Sequence, residues 1–274
     1  MELSDWRLII SHPATGAWNM ALDEAILEAV GQKSSPPTLR LYRWSPPCLS
    51  LGYAQPIADV NPPTIKKNNW DVVRRPTGGR AILHTDELTY SVMAHQDEPH
   101  VTGGVIESYR HLSKALLRGL QLLGLGARAD KEYSSLPVEQ THKAVCFEVP
   151  SKYEITVNGK KLIGSAQARR HHGVLQHGSL PLFGDLSRIT QVLSFQDSDA
   201  RSLAATRLLE RATTIESCLH RRPSWDEAAE AFIQAFKETL NLNFVLDEPE
   251  AREITRASEL VKTKYAHKDW IERH

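Results

Sequence analysis

The residues that could carry out group transfer through a covalent intermediate lie in one stretch of the chain. This stretch is AVCFEVPSKYEITVNGKKLIGSAQ at positions 144–167. It contains one cysteine, Cys146, and two lysines, Lys160 and Lys161, which follow an Asn158-Gly159 turn signal. A nearby ammonium group lowers the pKa of a thiol and increases its nucleophilic thiolate fraction. A lone cysteine is more often a small buried apolar residue, so residue type alone leaves both interpretations open.

The segment around Cys146 is unlike a regular buried strand. Phe147 and Val149 already supply apolar bulk, and Pro150 is unfavourable in a central strand. A thiol on a loop that leads into a sheet is accessible to a substrate. The local sequence is therefore compatible with a nucleophile at Cys146.

A strand predicted over 161–169 would align polar side chains on one face. Because side chains alternate along a strand, this face would carry Lys161, Ile163, Ser165 and Gln167. The opposite face would carry small and apolar residues suited to packing on helices: Leu162, Gly164, Ala166 and Ala168. Gly164 and Ala166 would also let a ligand lie against the backbone. The alternative is that Lys161 merely starts an exposed strand.

The segment RRPTGGR at positions 74–80 places three arginines around a Gly-Gly turn. Arginine pairs with carboxylate or phosphate oxygens, and glycine allows the backbone to approach a ligand closely. The segment lacks the Gly-Lys-Ser/Thr ending of a Walker A loop and does not match GxGxxG. A surface hairpin with solvated arginines would give the same pattern. His84 follows five residues after Gly79 and is a candidate for the same pocket, although a structural histidine is the ordinary interpretation.

The other histidines and cysteines do not form a recognisable metal or disulfide pattern. The twelve histidines include no HExxH motif, and the adjacent His171 and His172 read as a turn between strands. The three cysteines are widely separated and include no CxxC pair. We therefore predict no bound metal, and we interpret Cys48 and Cys218 as structural.

Helices and hairpins must position these residues. Apolar residues at helical spacing predict helices over 18–32, 105–123 and 225–240, the last with Ser224 and Glu227 as a capping box, and a further helix from Pro249. Strands are predicted over 38–44, 48–55 and 87–95, with a strand, turn and second segment over 70–84. A three-stranded meander follows over 152–182, and alternation in 87–95 predicts a half-buried strand. Antiparallel hairpins with interspersed helices indicate an α+β fold.

Length and composition agree with one compact catalytic domain. The 274 residues are 41% hydrophobic and 24% charged, with a formal net charge of zero, so no global field favours nucleic acid or a membrane. The start of the chain lacks the pattern of a secretory signal, and no apolar run is long enough to span a bilayer. We expect a cytoplasmic protein with a catalytic domain over 1–247, its core at about 33–247, and a C-terminal helical extension over 248–274.

Several of these motifs, taken in order, resemble the lipoate–protein ligase and octanoyltransferase family. They are RRPTGGRAILHTDELTYS at 74–91, VCFEVPSKYEI at 145–155 and GKKLIGSAQARRHHGVLQHGSL at 159–180, with NMALDEA and KYAHKDW near the two ends. The resemblance covers most of the chain. It implies a mixed, largely antiparallel sheet flanked by helices, the catalytic fold that this family shares with biotin protein ligase and class II aminoacyl-tRNA synthetases.

The resemblance implies octanoyl transfer from octanoyl-acyl carrier protein to a lysine of an apo lipoyl domain. In this branch Cys146 stands where the family carries a nucleophile that forms an acyl thioester, and Lys161 matches the family lysine. Arg80 stands where ligases commonly have a third glycine. The implied substrate-binding residues are Arg75, Thr77, Gly78, Gly79, Arg80, His84, Gly164, Ser165, Ala166 and Gln167. The ligase pattern has Asp directly after the histidine, whereas Thr85 intervenes here before Asp86, so neither of these residues is assigned a role.

Alternative activities remain open within the resemblance. An ATP-dependent lipoate–protein ligase would use ATP and magnesium and would not need Cys146, whereas the transferase needs no cofactor. Transfer of octanoyl between two lipoyl domains would use the same cysteine, and a non-catalytic module would only bind lipoyl domains. The implied acceptors are apo glycine cleavage H protein or 2-oxoacid dehydrogenase lipoyl domains. We expect a monomer without nucleic acid or membrane partners.

Overall fold

The computed structural model of the protein describes residues 3–130 and 154–274. The predicted nucleophile Cys146 lies outside these described residues. The two sides of the gap contribute to one large sheet, since strands on both sides pair with each other.

Within the described residues, eight strands form the large sheet and three short strands form a second sheet. The strands are β1 (Ser4–Ile10), β2 (Thr38–Tyr42), β3 (Cys48–Leu51), β4 (Asp71–Arg74), β5 (Ile82–His84), β6 (Glu87–His95), β7 (Arg128–Asp130), β8 (Glu154–Val157), β9 (Lys160–Arg170), β10 (Gly173–Pro181) and β11 (Leu242–Leu246). The large sheet has the order β11-β1-β2-β6-β10-β9-β8-β7, and the small sheet has the order β4-β3-β5. In the large sheet the β11-β1 and β1-β2 pairs are parallel and the others antiparallel.

Helices cover both faces of the large sheet. They are α1 (Gly16–Gly31), α2 (Pro62–Lys67), α3 (Val105–Leu122), α4 (Ser198–Arg211), α5 (Ile215–Leu219), α6 (Trp225–Leu240), α7 (Ala251–Leu260) and α8 (Lys268–Ile271), with a π-helical turn at Val261–Tyr265 and 3₁₀ turns at Ile57–Asp59 and Leu186–Gln191. The predicted α+β class with a mixed, largely antiparallel sheet is confirmed.

Local sequence accounts for the ends of these elements. Ser224 accepts a hydrogen bond from the backbone N–H of Glu227 at 3.0 Å, as the predicted cap of α6 requires. The helix predicted from Pro249 begins at Ala251, where Glu250 and Glu253 form a capping box. The meander turns adopt left-handed conformations, with φ of 51° at Asn158 and 52° at His171.

Strand β6 is buried on both of its faces, so the prediction of a half-buried strand is wrong. Leu88 and Tyr90 pack with Leu112 of α3 and Phe232 of α6. Met93, on the other face, packs with residues of α1. Alternation of apolar and polar residues normally marks a solvent-facing side. Here the polar side chains of β6 have buried partners instead: Ser91 donates to Asp23 of α1, and Thr89 accepts from the Trp44 indole.

A β-bulge near the start of β9 changes which side chains share a face. Ile155 pairs with Ile163 but Thr156 pairs with Lys161, so Leu162 is an extra residue in β9. Leu162 and Ile163 both pack into the core shared with α3 and α6. Lys161 therefore lies on the opposite face, and the predicted face that grouped it with Ser165 and Gln167 is wrong.

The C-terminal segment packs against α1 and β4. The carboxylate of Glu24 accepts hydrogen bonds from Lys264 and from the Tyr265 hydroxyl, and Glu28 pairs with Arg256 at 2.7 Å. These contacts cover the side of α1 that faces away from the sheet. Within the described residues, no helix combines the length and the apolar character needed to cross a bilayer.

Candidate active site

A cavity that opens to solvent lies between the large sheet, α1 and the small sheet. Its floor is formed by β9 and β10, where Gly164 pairs with Ser179 and Ala166 pairs with His177. Met20, Tyr42, Trp44 and Ile82 add apolar and aromatic walls. Gly164 and Ala166 project almost nothing above the floor, so an extended acyl chain could lie directly on the strand backbone.

The Gly-Gly loop closes the cavity and is held in shape by Arg75. This buried guanidinium donates hydrogen bonds to the carbonyl oxygens of Ser50 at 2.9 Å, Gly78 at 2.9 Å and Arg80 at 2.7 Å. Gly79 has a φ of 89°, and a Cβ on Gly52 would lie 1.9 Å from its carbonyl oxygen. The close approach of these two glycine backbones explains the glycine requirement of this loop.

A buried polar network supports the cavity from the α1 side. Asp23 of α1 pairs with Arg40 at 2.7 Å and accepts hydrogen bonds from Tyr42 at 3.0 Å and Ser91 at 2.9 Å. Burial alone would raise the pKa of Asp23, but the charge of Arg40 and the neighbouring His177 hold it below its ordinary value. Asp23 is therefore a buried carboxylate.

His177 connects this network to the Gly-Gly loop. Its Nδ1 lies 3.7 Å from the Asp23 carboxylate and its Nε2 lies 2.6 Å from the Thr77 hydroxyl. Burial lowers the pKa of His177 despite the opposing effect of Asp23, so the imidazole is neutral near pH 7. His177 thereby fixes Thr77, two residues before Gly79.

His84 lines the cavity beside Trp44 and is paired with the buried carboxylate of Glu87. His84 Nδ1 lies 2.5 Å from Glu87, His84 Nε2 lies 2.8 Å from the Ser50 hydroxyl, and the rings of His84 and Trp44 stack with centroids 3.9 Å apart. Burial opposes ionisation of Glu87, but the charge of His84 and hydrogen bonds from Ser179 and Thr89 hold its pKa below the ordinary value. Glu87 therefore holds the His84 ring, which forms part of the cavity wall, in position.

The cavity continues into a wider groove that contains Lys161. Gly79 and Ser165 line both the cavity and the groove, so they mark the junction. Lys161 is 4% exposed and lines the groove, whereas the Nζ of Lys160 donates to the carbonyl of Leu209 at 2.6 Å. The choice of Lys161 over Lys160 as the lysine facing the site agrees with this placement.

The structure brings together most of the substrate-binding residues proposed from the sequence. Those that line the cavity or the groove are Arg75, Gly78, Gly79, Arg80, His84, Gly164, Ser165 and Ala166. Thr77 lies behind the loop, on His177. The Gln167 amide lies on the opposite face of β9, where it donates to Ser108 of α3 at 3.0 Å, and the Ser165 hydroxyl bonds Tyr90 on the same side at 2.7 Å. Gln167 therefore does not line the cavity or the groove.

Sequence reasoning missed several residues of the cavity and its support. His177 and Ser179 lie in the third strand of the meander, and Asp23, Arg40 and Tyr42 lie on α1 and β2. One available signal was Asp23 itself, a charged residue within an otherwise apolar helical stripe, because a buried carboxylate requires partners. No comparable signal marked its partners Arg40 and Tyr42.

Other chemistry-bearing groups lie outside the cavity. Asp86 forms an ion pair with Arg188, and Thr85 accepts from the same guanidinium at 2.9 Å. Cys48 is buried in the core beneath α1, where burial raises the pKa of its thiol well above the ordinary value, as expected of a structural cysteine. Among the described residues, Glu24, Glu28 and His171 group three possible metal ligands, but Lys264 and Arg256 already neutralise the two carboxylates.

Comparisons with known proteins agree with this arrangement. The family model described as lipoyl protein ligase A/B catalytic domain matches residues 15–237. Octanoyltransferase LipM of Bacillus subtilis is 38% identical, covering 98% of this chain and 99% of its own, and that of Moorella thermoacetica is 40% identical, covering 100% of both.

Solved structures with the same fold include two lipoate–protein ligases. A bipartite lipoate protein ligase from Thermoplasma acidophilum, described with its E2 lipoyl domain, superimposes with a TM-score of 0.80 at 28% identity, covering 98% of this chain and 96% of its own. Lipoate-protein ligase A bound with ATP gives a TM-score of 0.77 at 28% identity and covers 99% of both chains.

Proposed function

The chain belongs to the lipoyl protein ligase A/B catalytic domain family, and from this premise we propose that it is an octanoyltransferase of protein lipoylation. The single observation that carries this function is the continuity of the apolar cavity with the groove containing Lys161. An octanoyl chain in the cavity would place its carbonyl carbon at the junction, beside Gly79 and Ser165. Curated relatives at 36–40% identity are octanoyltransferases, which favours transfer over ATP-dependent ligation.

The first half-reaction transfers the acyl group to Cys146. The Cys146 thiolate attacks the carbonyl carbon of octanoyl-acyl carrier protein, a new C–S bond forms, and the carrier thiolate leaves and takes up a proton. One thioester replaces another, so the exchange is nearly isoenergetic and requires no ATP or metal. Lys161 assists by stabilising the thiolate and the negative charge that develops on the carbonyl oxygen.

The second half-reaction transfers the acyl group to the acceptor. The ε-amine of a lysine on an apo lipoyl domain attacks the acyl-enzyme, a C–N bond forms, and the Cys146 thiolate leaves. The amine loses a proton during this step, and conversion of a thioester to an amide drives the reaction forward. The acceptor is a lipoyl domain of glycine cleavage H protein or of a 2-oxoacid dehydrogenase.

The apolar cavity gives the acyl group its affinity and its length selection. Burial of each methylene contributes about 0.8 kcal/mol, so an eight-carbon chain gains several kcal/mol in total. The buried Asp23–Arg40 pair and His177 keep the cavity walls in place without touching the reacting carbonyl.

Intact mass spectrometry tests this function directly. Incubation with octanoyl-acyl carrier protein, without ATP, is expected to add one octanoyl group to the wild-type enzyme and none to Cys146→Ala. Cys218→Ala, which changes a cysteine beside the Thr213 hydroxyl, is the matched control and should still form the adduct. An equal amount of octanoyl adduct on Cys146→Ala would contradict the assignment of Cys146 as the nucleophile.

The identity of the donor and the acceptor is settled in the same assay. Addition of an apo lipoyl domain should discharge the adduct and increase the mass of the acceptor. Octanoyl-loaded lipoyl domain is then offered in place of the carrier protein, and faster acylation from it would assign transfer between lipoyl domains. Modification by free lipoate only with ATP and magnesium, surviving in Cys146→Ala, would instead assign a ligase.

A further inference from the structure

The groove that contains Lys161 carries an excess of positive charge. Arg80 and Arg170 line it, and Arg273 lies at its rim, where its guanidinium donates to the Tyr53 hydroxyl at 2.8 Å. Among the described residues that line the groove, none is an aspartate or glutamate. Within the same part of the chain, no carboxylate forms an ion pair with any of the three arginines, although the whole chain has a formal net charge of zero.

Tyr53 holds two of these arginines together. The guanidinium carbon of Arg170 lies 4.8 Å from the centroid of the Tyr53 ring, and that of Arg273 lies 4.2 Å from it. Each contact with the ring gains a modest cation–π energy, but two like charges at one ring repel each other. A bound anion would remove this repulsion and would gain charge-assisted hydrogen bonds from both guanidinium groups.

The titration behaviour of the neighbouring groups agrees with a local positive field. The hydrogen bond from Arg273, together with the charges of Arg273 and Arg170, holds the pKa of the Tyr53 phenol below its ordinary value. Burial and the charge of Arg273 lower the pKa of Arg74, whose side chain binds backbone carbonyl oxygens. The charge of Arg273 contributes to both shifts.

The order of features along the groove matches one class of molecule. The apolar cavity comes first, then the junction at Gly79 and Ser165, and then the Tyr53 ring with Arg170, which follows Ser165 in β9. Lys161 precedes Ser165 in β9, so it lies on the other side of the junction from Arg170. An acylated phosphopantetheine arm has the same linear order: acyl chain, thioester, polar arm and phosphate. An acceptor lysine carries no phosphate, so the positive end of the groove would be specific for the donor.

Resting on the proposed octanoyl transfer, we infer that Arg80, Arg170 and Arg273, with Tyr53, form the binding site for the phosphate of the phosphopantetheine arm that delivers the acyl group. The site holds the donor by its phosphate while the acyl chain enters the cavity. The same residues do not take part in recognition of the acceptor lysine.

The test compares two small thioesters that differ only in the phosphate: octanoyl-4′-phosphopantetheine and octanoyl-pantetheine. The measured quantity is the ratio of their kcat/KM values for formation of the octanoyl adduct. We expect the wild-type enzyme to favour the phosphorylated thioester by about 100-fold, on the order of ten-fold for each of two charge-assisted contacts. Arg170→Gln and Arg273→Gln should each lower this ratio by about ten-fold.

Arg222→Gln is the matched control. Arg222 also lies over an aromatic ring, 3.4 Å from the centroid of Phe183, and neither residue lines the groove. This variant should keep the wild-type ratio. Higher salt should reduce the ratio in the wild-type enzyme, because ions screen the contact between the arginines and the phosphate; this measurement needs no variant.

The possible results separate this inference from the function on which it rests. Adducts that form at equal rates from the two thioesters, or a ratio that does not change in either arginine variant, would overturn the phosphate site alone. Stronger competition by ATP than by 4′-phosphopantetheine would assign the groove to a nucleotide and would also overturn it. Absence of an adduct from both thioesters would remove the proposed function, and this inference with it.

Discussion

Two adjacent lysines, Lys160 and Lys161, have different surroundings although they share a strand and a residue type. The bulge at Leu162 places Lys161 in the groove next to the cavity. The Nζ of Lys160 donates to a backbone carbonyl of α4 outside the groove. They therefore form a matched pair for testing what the position of the ammonium group contributes.

We predict that Lys161→Gln slows formation of the octanoyl-enzyme by about 100-fold, the usual cost of removing one group that stabilises a developing oxyanion. Lys160→Gln should stay within about two-fold of the wild-type rate, because only an exposed side-chain contact is lost. Rapid quenching followed by intact mass spectrometry measures both rates. Equal effects of the two substitutions would contradict a specific role for Lys161.

His177 makes the free energy of unfolding depend on pH. This dependence lies at higher pH than the range in which carboxylates titrate. Because burial lowers its folded-state pKa below the unfolded value of about 6.5, the folded state binds fewer protons than the unfolded state as pH falls. The stabilisation is complete above that value and decreases as pH falls toward the folded-state pKa. Asp23 and Glu87 also have lowered pKa values, but their stabilisation is lost only below about pH 4.

We predict that the free energy of unfolding in urea decreases between pH 7.5 and pH 5.5, by at most about 1.4 kcal/mol per pH unit for each such histidine. His177→Gln should reduce this decrease, with a remainder from His100, whose pKa is also lowered by burial and by His111. His12→Gln, at an exposed residue, should leave the slope unchanged. A slope that is the same in all three proteins would show that His177 does not titrate in this way.

Two alanines of strand β9 lie in different parts of the candidate site. Ala166 lines the cavity, and Ala168, two residues further along the same face, lines the wider groove. The two positions therefore differ in available space but not in residue type or strand.

We predict that Ala166→Leu lowers kcat/KM for octanoyl thioester by about ten-fold or more relative to butanoyl thioester. The added carbons occupy space that the end of the longer chain needs, and loss of each buried methylene removes about 0.8 kcal/mol. Ala168→Leu should keep the wild-type preference. Acylation rates with butanoyl, hexanoyl and octanoyl thioesters measure the effect, and an unchanged chain-length profile in Ala166→Leu would place the acyl chain elsewhere.

Contacts between the C-terminal segment and the loop after β3 stabilise the whole molecule. The buried Arg74 guanidinium donates to the carbonyl oxygens of Gly52, Gln55 and Ile271, and Trp270 donates its indole N–H to the Arg74 carbonyl at 2.8 Å. Because these acceptors are buried, loss of the guanidinium would leave them without a donor.

We predict that Arg74→Met lowers the free energy of unfolding by about 3 kcal/mol and increases hydrogen exchange in α8. Arg118→Met removes an ion pair with Glu238 in which both side chains are about 40% exposed, and it should lower the free energy of unfolding much less than Arg74→Met does, because solvent screens exposed ion pairs. Urea unfolding and hydrogen exchange measure both effects. A small effect of Arg74→Met with unchanged hydrogen exchange in α8 would contradict the role of Arg74 in holding the C-terminal segment against the loop after β3.

Local patterns in the sequence determined the elements of the fold and their class. Helical spacing with a serine cap predicted α6, and the Asn158-Gly159 and His171-His172 turns predicted the meander, because these signals depend only on neighbouring residues. The motif order also indicated the family, and it brought Arg75, Gly79 and Lys161 into one site. These are properties that a short window of sequence carries.

Tertiary structure alone decided which faces of the elements meet. An extra residue at Leu162 reverses the alternation of β9, so Lys161 shares a face with Gly164 and Ala166 while Gln167 points under α3. Strand β6 is buried on both of its faces, which no local pattern encodes. The network of Asp23, Arg40 and His177 likewise joins residues more than 130 positions apart. The order of the elements could be predicted because backbone preferences are local, whereas the side-chain environment of the site could not, because it depends on long-range packing.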